Sequence, residues 1–252
     1  MLSKINTLKG YKLDALDGEI GRVKEFYFDD RHWTIRYLVA GTGAWLIGRQ
    51  VLIAPYALVA INVPEQTIVT DLTMEQIKAS PSLDSDKPVS RQFEESYYGY
   101  YGWPTYWQGS YTWGYSPTLD RNRDKNYVTI PGEKAWDHHL RSTHTVSGYE
   151  IHALDGDLGH VEDFIIDDGT WTIRYLIINT GNWWPGKKFL VSPHWIKRVS
   201  RAESKVFVNL SRAAIQKSPE YTNESLPDRD YEAGLYKHYN HKGYWTEELV
   251  SR

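Results

Sequence analysis

Gly10-Tyr11-Lys12-Leu13-Asp14-Ala15-Leu16-Asp17-Gly18 returns 138 positions later as Gly148-Tyr149-Glu150-Ile151-His152-Ala153-Leu154-Asp155-Gly156. At the same offset Trp33-Thr34-Ile35-Arg36-Tyr37-Leu38 returns unchanged as Trp171-Thr172-Ile173-Arg174-Tyr175-Leu176. The register runs without a gap from Thr7–Trp107 onto Thr145–Trp245, with about 35 identities in roughly 101 aligned positions, which a duplicated folding unit explains. A chain of 252 residues accommodates two such units at ordinary domain size. The reading is therefore repeat one over residues 1–107, a linker over 108–139 and repeat two over 140–252.

Each copy reads as a series of short strands. Asp17-Gly18 and Asp155-Gly156 are hairpin-turn pairs. The long segments after them, Glu19–Asp29 and its counterpart, carry glycines (Gly21; Gly156 and Gly159) where a strand must bulge or coil. Thr34–Ala40 and Thr172–Ile178 are β-branched and aromatic, and Val51–Ala54 and Thr67–Leu72 complete five or six strands, the spacing of a small antiparallel barrel. Thr73 with Gln76, and Ser211, are helix N-cap signals. Beyond them Phe93, Tyr97 and Tyr101 recur every fourth residue, as do Tyr231, Leu235 and Tyr239, predicting an aromatic-faced tail helix for each barrel. The expected fold class is all-β with short helices.

Composition narrows the function. The chain contains 19 Tyr and 11 Trp, so each small core can be filled by rings. The net charge of −3 is spread evenly, arguing against a general nucleic-acid module. With no cysteine, disulfides, thiolate metal sites and cysteine nucleophiles are excluded. No P-loop, dinucleotide fingerprint or nucleophile elbow is present, and the histidines do not form a ligand set. No enzyme activity, catalytic residue, cofactor or metal is expected. The apolar runs are too short for a membrane span and no signal-peptide core is evident, so a soluble, cytoplasmic protein is expected.

Two residue sets stand out. Arg36 and Arg174 sit amid apolar strands and need carboxylates; Asp29 or Asp30, and Asp167 or Asp168, are near across the hairpins, predicting structural ion pairs. The copies diverge around the fourth and fifth strands. Copy one has Trp45 and Leu46, while copy two has Trp183, Trp184, Lys187, Lys188, Trp195, Lys197 and Arg198. Rings beside basic groups suit an acidic protein surface, or phosphate contact with base stacking.

The run Ala153-Leu154-Asp155-Gly156-Asp157-Leu158-Gly159-His160-Val161-Glu162-Asp163-Phe164, with Trp171–Leu176 and Asn182-Trp183-Trp184-Pro185-Gly186-Lys187-Lys188, resembles the PRC-barrel family. That family is named from the cytoplasmic domain of the photosynthetic reaction centre H subunit, and a related barrel occurs in ribosome maturation factors. The resemblance implies two SH3-like PRC β-barrels in tandem that mediate interactions. The expected function is a non-enzymatic scaffold binding a protein, with RNA or ribosome binding through repeat two as the alternative. A second copy of the chain is a further candidate partner.

Overall fold

The computed structural model describes residues 1–43, 45–46, 49–82, 89–121, 140–181, 187–222 and 225–248. Sheet dominates. Repeat one contributes β1 (Leu2–Lys4), α1 (Ile5–Leu8), β2 (Lys12–Ala15), β3 (Gly18–Asp29), β4 (Thr34–Gly41), β5 (Gln50–Ile53), β6 (Leu58–Asn62), β7 (Thr67–Thr70), α2 (Met74–Ala79) and α3 (Arg91–Tyr101). Repeat two contributes β8 (Leu140–Ser142), α4 (Thr143–Val146), β9 (Glu150–Ala153), β10 (Gly156–Asp167), β11 (Thr172–Asn179), β12 (Lys188–Val191), β13 (Ile196–Ser200) and β14 (Lys205–Val208). Its helices α5 (Arg212–Gln216), α6 (Arg229–His238) and α7 (Tyr244–Glu248) follow.

The chain forms two compact units, and their boundaries differ from the repeat boundaries. The N-terminal unit holds Ile5–Thr143 and Asp168–Thr172; the C-terminal unit holds Met1–Lys4, His144–Asp167 and Ile173–Arg252. The leader strands are exchanged. In the N-terminal unit the edge of β3 is covered by β8, with Tyr27 opposite Ser142 and Asp29 opposite Leu140. Arg141 Nε donates to Asp30 Oδ2 at 2.7 Å, and the Thr143 hydroxyl accepts from Phe26 N at 3.2 Å. In the C-terminal unit β10 receives β1, with Leu2 opposite Asp167 and Lys4 opposite Ile165. The simple division at residues 107 and 140 is corrected accordingly. So is the linker's start, because Trp113 is 2% exposed and belongs to the N-terminal unit's core. The remainder, 122–139, lies outside the described residues.

Within the N-terminal unit the strands run β5-β4-β3-β2-β7-β6, antiparallel except for the parallel β2–β7 pair. In the C-terminal unit β12, β11, β10, β9, β14 and β13 play the same parts, with β9–β14 parallel. Each long strand, β3 and β10, serves three neighbours by coiling. Its glycine permits that. Gly159 has φ +63, and a Cβ there would lie 2.0 Å from the Asn179 carbonyl oxygen; Gly21 meets Gly41 in the same way. Gly159→Ala is expected to destabilise the C-terminal unit by more than about 2 kcal/mol, since both backbone conformation and contact forbid it. Gly181→Ala has φ +55 but nothing within 4 Å, and should cost about 1 kcal/mol. Urea melts of the two variants measure the difference.

Strands β4 and β11 explain why their sequences lack alternation. Residues Thr34–Ala40 are all buried, as are Ile173–Ile178. One face meets the sheet's interior, and the other lies beneath the aromatic tail. The turn acids find work at the helices: Asp17 Oδ1 accepts from Met74 N, and Asp155 Oδ1 from Arg212 N, both at 2.7 Å. Thr73 and Gln76 form the anticipated capping box. Among the described residues no helix is long and apolar enough to cross a membrane.

Candidate functional site

The tail helices dock through a buried polar node that both units build from equivalent residues. In the N-terminal unit Glu94, 2% exposed, comes in on α3 beneath β4. Its Oε1 accepts from Tyr37 (3.0 Å) and Tyr106 (2.6 Å), and its Oε2 from Arg91 Nη1 (2.9 Å). Burial pushes the Glu94 carboxyl above its ordinary range, opposed by Arg91 and the two phenol donors. The C-terminal unit repeats this at Glu232, with Tyr175 (2.8 Å), Tyr244 (2.9 Å) and Arg229 (3.0 Å). Arg91 and Arg229 each lie 4.2 Å from a tryptophan ring, Trp107 and Trp245 respectively.

Beside each node sits the arginine singled out in the sequence. Arg36 is fully buried; its Nε and Nη2 donate to Asp29 Oδ2 at 2.9 and 2.5 Å, and Nη2 also donates to the Thr112 carbonyl at 2.8 Å. Its guanidinium lies 3.9 Å from the Tyr106 ring centre and 4.8 Å from that of Trp113. Burial would raise the Asp29 carboxyl, but Arg36 and hydrogen bonds from His32 hold it well below the usual carboxylate range. Asp30 pairs with Arg141 instead. In the C-terminal unit Arg174 donates to Asp167 at 2.9 Å and covers Tyr244 at 4.0 Å. Asp168 is grouped with the N-terminal unit. A cleft of about 60 Å³ opens beside the first node, between Asp29, His32, Arg91, Glu94, Tyr106 and Trp107. It has room for a few waters. These nodes fasten helix to sheet.

The divergent surface is less basic in effect than its composition suggests. Lys187 pairs with Glu220 (3.2 Å), Lys188 with Glu162 (2.5 Å) and Arg198 with Glu203 (2.8 Å). Arg198 also lies over Phe207 at 3.6 Å. Lys197 is exposed; Trp45 and Leu46 are half-buried. Trp183 and Trp184 lie outside the described residues. Trp195 is corrected: at 2% exposure it is no surface ring, but a wall packed against Tyr236 and Tyr239 at 5.3 and 4.4 Å between ring centres. It ends a 3-10 turn that directs the side chain inward, beneath the tail.

That wall is where the units part company. In the N-terminal unit Tyr56 (2% exposed) stacks on Trp103 (4% exposed) at 5.8 Å, and Trp113 closes over Tyr56 edge-on at 5.4 Å. The equivalent positions in the C-terminal unit are His194 and His241, and both are exposed. There a cleft of about 340 Å³ is lined by His194, Trp195, Tyr236, Asn240, His241, Lys242 and Tyr244. Sequence reasoning missed both the Trp113 cover and this opening. The available signal was the replacement of Tyr56 and Trp103 by two histidines. Among the described residues no cluster of acidic and histidine side chains is arranged to hold a metal.

No curated protein matches the chain. Residues 141–215 match the model of the PRC-barrel domain, a span that begins within the exchanged strand β8.

Proposed function

We propose that the protein is a tandem PRC-barrel scaffold, acting without catalysis in the cytoplasm, whose partner is another protein. The observation that carries this reading is a frame held constant while its outer wall changes. Tyr37, Glu94, Tyr106 and Arg91 have the same partners as Tyr175, Glu232, Tyr244 and Arg229, yet buried Tyr56 and Trp103 are replaced by exposed His194 and His241. A duplicated rigid support with one closed and one open wall suits recognition, because the opening's side chains are positioned before a partner arrives.

Protein is favoured over RNA by the charges. Lys187, Lys188 and Arg198 already face carboxylates, so few cations remain to neutralise phosphates. Tagged full-length protein is expected to retain a specific protein through nuclease treatment and washing at about 0.5 M salt. Replacing Lys187, Lys188, Lys197 and Arg198 with Gln should leave that capture within about twofold. Capture that disappears with nuclease, or that drops steeply with salt and with the four substitutions, would establish the RNA reading instead.

A further inference from the structure

We propose that β6 of the N-terminal unit is an association edge whose occupant is β6 of a second copy of the chain. The inference does not depend on the scaffold reading. Among the described residues β6 pairs with β7 alone, so its other edge carries no strand. The stretch Leu58-Val59-Ala60-Ile61-Asn62-Val63 holds no charged side chain, and Val59 and Val63 are 53% and 48% exposed. Ala60 is exposed too and stands opposite half-buried Val69, which widens the apolar strip. Folded proteins blunt such an edge with charged side chains, above all lysine, because an unguarded edge templates a further strand.

The C-terminal unit holds the guarded version of the same edge. Its equivalent strand, β13, pairs with β14 alone among the described residues. Position for position, Val59, Ala60 and Val63 become Lys197, Arg198 and Arg201, all exposed. Arg198 also lies over Phe207, the counterpart of Val69, at 3.6 Å. Both strands slip register at the same place, between Leu58 and Ala60 and between Ile196 and Arg198, so the bulge does not distinguish them and the charges do.

The occupant follows from symmetry. Two antiparallel copies of β6 centred on Ile61 set Val59 of each against Val63 of the other, and Ala60 against Asn62. Apolar side chains meet at both ends and no charge is desolvated, as a two-fold contact between identical patches requires. The same operation on β13, centred on Val199, sets Lys197 against Arg201, like charges that oppose pairing. Pairing β6 with β13 of another copy would strip water from those cations, and β6 offers them no carboxylate. Of the two edges, β6 is self-complementary and β13 self-repelling.

Sedimentation equilibrium of the full-length protein is expected to show a monomer–dimer equilibrium with a dissociation constant below about 100 μM. Amide exchange at Ala60–Val63 should slow as protein concentration rises, while exchange in β13 stays constant. The triple variant Val59→Lys, Ala60→Arg, Val63→Arg installs the residues that β13 already carries in the same frame, so it should melt as the wild type does. It should weaken dimerisation at least about thirtyfold. The reverse triple variant, Lys197→Val, Arg198→Ala, Arg201→Val, unguards a second edge on each chain and should drive assembly beyond the dimer. A wild-type protein that stays monomeric to about 500 μM overturns the proposal. So does a dimer that the folded guarded variant still forms, or one that leaves exchange at Ala60–Val63 unchanged. Protection of β6 that appears only on adding a captured partner protein assigns the edge to a foreign strand and overturns it equally, while leaving the scaffold reading intact.

Discussion

Arg36→Ala is expected to destabilise the N-terminal unit by about 3–5 kcal/mol, the usual consequence of stripping one member from a buried ion pair. Arg36 is fully buried and Asp29 3% exposed, so the abandoned carboxylate has little access to water. The same change removes the cation beneath Tyr106 and Trp113 and leaves the Thr112 carbonyl without its donor. Denaturant unfolding followed by amide exchange in β3 and β4 reads the loss, and a change under about 1 kcal/mol would contradict the account. Acid provides a second readout. The folded-state pKa of Asp29 is depressed, so its contribution is present above the unfolded value near ~4 and fades as pH falls below it. The wild-type unit should therefore lose stability on acidification that Arg36→Ala no longer has to lose. Arg174→Ala should cost less, because Asp167's side chain is 22% exposed and can recover water.

Removing Leu2–Lys4 should act on the distant half of the sequence. These residues pair with Ile165, Ile166 and Asp167, and Lys4 lies 5.4 Å from the ring of Tyr221. Without them β10 presents an unpaired edge, and amide exchange around Ile165–Asp167 should accelerate at least about tenfold, equivalent to roughly 1.4 kcal/mol of local opening. Protection at Tyr27–Asp29 of β3, which β8 supplies, should hold. The reverse pattern, with β3 exposed and β10 unaffected, would mean that each leader strand serves its own repeat.

Much of this architecture could be read directly because the chain is duplicated. Arg36 and Arg174 lay in apolar strands with acids one hairpin away, and cost alone demanded partners. The fourfold spacing of Phe93, Tyr97 and Tyr101 marked a tail helix, and the same rows identified Glu94 with Glu232, though not the phenols that hold them. Strand exchange could not be read. Leader strands β1 and β8 occupy equivalent positions, and local pattern says nothing about which of two similar edges each one joins. Trp113 was hidden by its surroundings, since Gly, Ser, Tyr and Pro between repeats look like a connector. Trp195 was misread because Lys197 and Arg198 follow it, whereas the turn beginning at Pro193 rotates it away from them.

The crossed leader strands also set a timetable for synthesis. Residues 2–4 leave the ribosome roughly 160 residues ahead of their pairing partners, a gap of about 8–30 s at ordinary elongation rates. The earlier half cannot finish its own sheet until residues 140–142 emerge, so it passes through a nascent stage with a bare strand edge on β3, while residues 2–4 wait without their partner strand. For this polypeptide, completion of either half is tied to translation of the other, and a stalled or truncated product would expose an adhesive margin to the quality-control machinery.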